Sequence, residues 1–99
     1  MDNQEIIEKI YKLQMLLKGR NGAIVSALER STIPLIEYNN QIASLSKDEL
    51  LEIGGVGDVT ADLIMRIIKG EHVYDIAKSV PKLKRREKWE IEAGASSRI

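Results

Sequence analysis

Between Leu50 and Met65 the chain reads Leu-Leu-Glu-Ile-Gly-Gly-Val-Gly-Asp-Val-Thr-Ala-Asp-Leu-Ile-Met, two apolar half-helices broken by three glycines within four residues. No continuous helix tolerates that cluster, because each interior glycine costs about 1 kcal/mol relative to alanine. The break must therefore be a turn, and the two halves must fold back on each other. Gly54, Gly55 and Gly57 can take positive φ and leave the backbone bare. Val56 between them is apolar and can point inward to pin the halves together. The helix beginning near Asp58 then presents its first amides beside an uncovered loop. Those N–H groups lack intrahelical partners and sit at the positive end of the helix dipole, an arrangement suited to an anion such as a phosphate.

The rest of the chain is helical in period. Ile6, Ile10, Leu13 and Leu17 recur at intervals of three and four, predicting an amphipathic helix from Asn3 to about Lys18 with Asp2 or Asn3 as its cap. Gly19-Arg20-Asn21-Gly22 is a stop-and-turn cluster, after which Ala23, Ile24, Ala27 and Leu28 predict a second helix ending near Arg30. Ser31 and Thr32 read as a restart, with Pro34 in the first turn of a third helix whose stripe is Leu35, Ile36, Ile42 and Ala43. Ser46 to Glu49 is a capping box. The helix after the glycines should run from Asp58 to Lys69 and stop at Gly70, with a last short turn from Val73 to Lys78 before Pro81. No alternating strand pattern occurs, so the expected class is all-α, a compact bundle of four to five short helices.

Composition narrows the function classes. The 99 residues imply one small domain, and the absence of cysteine removes disulfides and thiolate chemistry. No run of apolar residues is long enough for a membrane span, and no leader pattern is present, so the expected setting is intracellular: cytoplasmic, or nuclear in a eukaryote. The Lys-Asp-Glu-Leu at 47–50 is internal and opens a helix rather than serving as an address. Net charge is zero but unevenly placed. Residues 1–81 carry 9 basic against 12 acidic side chains, and residues 82–99 carry 6 against 3, so the body is acidic and the tail basic. The expected organisation is a domain over 1–81 and a basic, flexible tail over 82–99. His72 has no companion ligands and reads as a surface residue. Tyr11, Tyr38 and Tyr74 read as core-edge residues, Met15 and Met65 as packing residues, and Trp89 as an anchor for the tail, onto the domain or onto a partner.

The segment Leu50 to Met65 matches throughout the pattern of a helix-hairpin-helix DNA-binding motif, with Ala61 small enough for two helices to approach and Leu51, Ile53, Ile64 and Ile67 phased toward a core. With Ala27-Leu28-Glu29-Arg30 and the Pro34 segment before it, the chain resembles the small N-terminal domain of family X DNA polymerases and related domains of structure-specific endonucleases. The resemblance implies sequence-independent contact with the phosphate backbone of duplex, branched or gapped DNA, in repair, replication or recombination.

It also implies a lyase that this chain lacks the residues for. The positions that would carry the Schiff-base lysine and its phosphate-binding neighbour are Leu63 and Val59, neither of which can form an imine. Lys69 lies more than a turn further along and Arg66 is always protonated. A monovalent cation such as potassium, implied by the same resemblance, would be held by the carbonyls of Leu51, Ile53 and Val56.

The expected DNA contacts are therefore Gly55, Val56, Gly57, Asp58, Val59 and Thr60 at the turn, Lys69 at the end of the second hairpin helix, and Lys82, Lys84, Arg85 and Arg86 in the tail. For Lys69 and for the tail, a solvated reading stands equally beside the DNA reading. Asp58 stabilises its helix but occupies the field a phosphate would use, and Asp62 and Arg66 are spaced to pair with each other. The acidic body and Asp58 support a second reading, a protein-interaction domain that keeps the hairpin as a structural element.

Overall fold

Asp2 accepts the Glu5 amide at 2.8 Å and starts α1, Asn3–Leu17, in the computed structural model, which describes residues 1–83. The predicted stripe Ile6, Ile10, Leu13 and Leu17 is fully buried. Gly19, at φ +81°, turns the chain, and Asn21 caps α2 by accepting the Ile24 amide at 3.1 Å.

Here the fold departs from the sequence expectation. α2 does not end near Arg30 but runs unbroken from Gly22 to Ile36. Ser31 and Thr32 do not restart the chain. Both side chains are buried, and their hydroxyls donate to the Leu28 carbonyl at 2.7 and 2.8 Å, satisfied within the helix that they were expected to interrupt. Gln14 on α1 adds a hydrogen bond to the Thr32 hydroxyl at 3.2 Å. Pro34 consequently lies inside α2 rather than at a first turn. Leu35 is buried as expected, whereas Ile36 is 53% exposed because it lies on the outer side of this longer helix.

No third long helix follows. Asn3 reaches across to residues 40–42, its side chain donating to the Asn40 carbonyl and accepting the Ile42 amide, each at 2.8 Å. That clamp seats Ile42 in the core at the head of a single 3-10 turn, Ile42–Ser44. The capping box at Ser46 and Glu49 is present in both directions and opens α3, Lys47–Leu51. The glycine turn leads into α4, Asp58–Ile68, and Gly70, at φ +92°, leads to α5, Val73–Ser79. The result is all-α, with five α-helices and no strand among the described residues.

α1 forms the centre, packing against α2, α4 and α5, while α4 also meets α2 and α3. Ala61, Ile64 and Ile67 of α4 are fully buried, as the pattern required. Val73, Ile76 and Ala77 close the end of the core. Leu51 does not join it: Leu50 takes the fully buried position and Leu51 is left 38% exposed. Met15 likewise faces outward rather than packing.

One contact fixes how the α3–α4 pair sits on the rest. Pro34 has no amide to give the Arg30 carbonyl, its partner four residues back in a regular helix. Gly55, at φ +90°, lies against that carbonyl so closely that a Cβ there would be 2.8 Å from the oxygen and 3.4 Å from Pro34 Cγ. Gly55→Ala combines left-handed backbone strain with this clash. It should cost about 1–3 kcal/mol and lower the thermal midpoint by at least about 5 °C. Gly57→Ala, at φ −96° with open space where its Cβ would stand, should stay within about 1 kcal/mol of wild type. Thermal denaturation of the two variants checks the contrast.

Candidate nucleic-acid interface

Of the three glycines, only Gly55 uses positive φ; Gly54 and Gly57 do not, so the conformational demand falls on one position. After α3, the Ile53 amide donates to the Leu50 carbonyl at 3.0 Å, and the Val56 amide donates to the Ile53 carbonyl at 3.1 Å. These bonds curl the chain into a tight turn. Val56 points into the core and holds the turn down, while Gly54, Gly55 and Gly57 remain exposed.

Gly57 is the N-cap of α4, with extended backbone and no side chain to occupy the cap position. The other four α-helices each have a side-chain oxygen or nitrogen accepting a first-turn amide. α4 has none, and among the described residues the amides of Gly57, Asp58, Val59 and Thr60 donate no hydrogen bond. Three of these donors, at Gly57, Asp58 and Val59, belong to exposed residues at the positive end of an 11-residue helix, and the fourth, at Thr60, is buried.

The expected contact residues fall into three groups. Gly55, Gly57, Asp58 and Val59 surround the turn and are exposed, Val59 at 53%. Val56 is buried, and Thr60 is only 2% exposed. Thr60, expected among the phosphate contacts, is buried as a whole residue, so it is not presented at the surface of the turn. Lys69 is exposed at the far end of α4, about 18 Å from Gly57 at 1.5 Å per residue. It can meet only a different phosphate from the one at the turn. Lys82 is described and exposed; Lys84, Arg85, Arg86 and Trp89 lie outside the described residues.

The sequence did not identify Lys47. From the first turn of α3 its ammonium bridges Asp62 at 2.9 Å and Asp58 at 3.2 Å, joining the two helices across the glycine turn. The hydrogen bond to Asp62, then that to Asp58, raises the Lys47 pKa and keeps the group charged. Lys47 thereby offsets part of the negative field that Asp58 places at the start of α4. It also corrects the expected Asp62–Arg66 pair. Arg66 turns instead to Glu71, with Nε and Nη2 on the two carboxylate oxygens at 2.9 and 2.7 Å, and donates through Nη1 to Ser79 Oγ at 2.6 Å. A two-pronged guanidinium–carboxylate pair is stronger than a single-turn surface pair, and the bond to Ser79 ties α4 to α5.

His72 is exposed, as expected, and its Nδ1 accepts the Tyr74 amide at 3.4 Å. The two rings stack at 5.2 Å, with Lys12 Nζ 5.2 Å from the Tyr74 ring centre. Tyr38 packs on the core, but Tyr11 and Tyr74 are nearly half exposed. No group of three or more metal-binding side chains occurs among the described residues. The carbonyls implicated for a monovalent cation remain compatible with one: Ile53's has one lone pair engaged by Val56, and those of Leu51 and Val56 accept no backbone hydrogen bond among the described residues. Neutral carbonyl oxygens are the donor type that potassium takes.

Comparison with known proteins found no match to a family model, a curated protein or a solved structure.

Arg66, then Lys69 more weakly, holds the Glu71 carboxyl below its ordinary range. A depressed carboxyl contributes stability above the ordinary carboxylate range that is lost as pH falls through its folded value. Glu71→Gln should therefore melt below wild type at neutral pH and with wild type in strong acid, where Glu71 is protonated in both states. Melting curves across that range check it; a constant difference at all pH values would show that the carboxylate charge is not what matters.

Proposed function

We propose that this chain is a non-catalytic, sequence-independent DNA-binding module of the helix-hairpin-helix kind, serving repair, replication or recombination. The observation that carries the reading is the run of undonated amides on the exposed residues Gly57 to Val59, at a helix start with no side-chain cap beside an exposed glycine turn. A duplex phosphate entering there accepts main-chain N–H groups and gains from the helix dipole. Such a contact fixes position on the backbone and reads no base.

Lys47 makes the approach less costly by pairing with Asp58 and Asp62, although two carboxylates against one ammonium still leave the local charge at −1. The affinity expected is weak and falls steeply with salt. A potassium ion on the carbonyls of Leu51, Ile53 and Val56 would add positive charge at the same turn. For lyase chemistry, Leu63 is buried and Val59 exposed, and an imine can form at neither side chain.

The second reading, a protein-interaction domain that retains the hairpin as a folding device, draws on Leu51 and Val59. Both are apolar, both are exposed, and they flank the turn from α3 and α4. A partner protein covering them would bury the same surface that a duplex would approach.

Gly57→Val separates the two readings. With open space around Gly57 the variant should fold, and its side chain adds bulk at the N-cap position that precedes the amides. Loss of one charge-assisted hydrogen bond is worth about 1.5–3 kcal/mol, so duplex affinity at low salt should fall about tenfold or more. Fluorescence anisotropy with a labelled duplex measures it, and circular dichroism verifies the fold. Unchanged affinity in the folded variant would remove the glycine turn from DNA binding.

A further inference from the structure

At the opposite end of α2 from the Gly55 contact, the chain builds a second charged surface. Gly19 ends α1 in the left-handed conformation, and the two residues after it reach across to the segment following α5. Arg20 Nε donates to the Val80 carbonyl at 3.1 Å and Nη2 to the Lys78 carbonyl at 3.3 Å. Asn21 Nδ2 donates to the Pro81 carbonyl at 2.8 Å, and the Leu83 amide returns a bond to the Arg20 carbonyl at 2.9 Å. Four hydrogen bonds thus hold residues 20–21 against residues 78–83.

This lacing brings cations from separate parts of the chain together. Lys18 and Arg20 come from the α1–α2 corner, Lys78 from the last turn of α5, and Lys82 from the segment beyond it. Lys18, Lys78 and Lys82 are exposed, whereas the Arg20 guanidinium is half-buried. The end of α5 would ordinarily present the negative pole of its helix, but Arg20 and Lys78 cover that pole. Along the described segments that form the corner, residues 17–22 and 71–83, the acidic side chains are Asp75, one turn back along α5, and Glu71, which is paired with Arg66. Four cations against Asp75 leave a local charge of about +3 on a body that is otherwise acidic.

We infer that the corner where Lys18 and Arg20 meet Lys78 and Lys82 is a second contact surface for the phosphate backbone of a nucleic acid, separate from the glycine turn. The inference rests on the DNA-binding reading and extends it. Asn21 and Arg30 are about 13 Å apart along α2, and a duplex carries a charge every 1.7 Å or so of its axis. The turn and the corner can therefore meet different phosphates of one duplex. Spaced cations without an apolar patch suit a nucleic-acid backbone. A lipid surface asks for a contiguous set of apolar anchors beside the cations, and among the described residues this corner offers two separate side chains, Met15 on α1 and Leu83 beyond α5. Arg20 acts as the positioning residue, and Lys18, Lys78 and Lys82 carry the exposed charge.

The test is fluorescence anisotropy of the full chain with a short labelled duplex, titrated between about 50 and 200 mM salt. It compares wild type, K18Q/K78Q/K82Q, Gly57→Val and the combined variant. Arg20 is left intact to preserve the lacing, and the thermal midpoint of the triple variant should fall by only about a few degrees, the contribution of Lys78 at the end of α5. Each cation that pairs with a phosphate contributes roughly 0.9 to the slope of log affinity against log salt. The triple variant should therefore lose about two to three from that slope, with the same loss in the Gly57→Val background.

An unchanged slope in the triple variant, with affinity still lost in Gly57→Val, overturns the corner and leaves the turn standing. A reduced slope with no effect of Gly57→Val supports the corner and removes the turn. Binding to phosphatidylserine vesicles in place of the duplex, or binding to neither, overturns the corner as a nucleic-acid surface.

Discussion

Pro34 withholds an amide from the Arg30 carbonyl, and Gly55 closes against that oxygen with no room for a side chain. The placement of the α3–α4 pair depends on this meeting. A proline inside a helix and a glycine at positive φ are each locally unfavourable, and here the first makes the irregularity that the second fits. With Gly55 seated, Val56 drops into the core, the chain leaves the turn extended at Gly57, and α4 begins on the exposed residues Asp58 and Val59. The same contact makes the glycine cluster unequal. Gly55 is required by geometry, whereas Gly57 is free to be substituted and matters for what it leaves uncovered.

Much of this was legible in the chain. The α1 stripe, the capping box at Ser46, the turn at the glycines, and the start and stop of α4 all follow from local pattern, because in each case spacing and capping chemistry agree. α2 was misread for a physical reason: serine and threonine favour helix caps, yet inside a helix their hydroxyls can donate back to a carbonyl, as Ser31 and Thr32 do to Leu28. Local sequence does not distinguish the two states; burial against α1 and the Gln14 hydrogen bond favour the second. The loss of the regular helical donor to the Arg30 carbonyl was implicit in Pro34 once the helix was known to continue. The Lys47 bridge was not legible, since residues 47, 58 and 62 approach only when the turn has closed. Asp62 and Arg66 had the spacing of a pair, but each found a partner on another element.

The charges divide the molecule by role. At the glycine turn the chain offers main-chain donors while tolerating carboxylates, with Lys47 limiting their field. At the α1–α2 corner it offers side-chain cations laced to the end of α5. A neutral total charge conceals this division. Both ends of α2 meet a distant segment, through Gly55 at one end and through Asn21 and its neighbour Arg20 at the other, so α2 is the rigid spacer between the two surfaces. A site on a helix of fixed length is held more precisely than one on loops alone.

The central claim is that main-chain amides at the start of α4 carry the contact with DNA. An amide-resolved NMR titration of the full chain with a short duplex, at low salt and again near physiological ionic strength, reads those amides directly. The account predicts shifts centred on Gly55 to Ala61 that shrink as salt rises. Silence at those amides while the duplex binds elsewhere, or no response to the duplex at all, would contradict it.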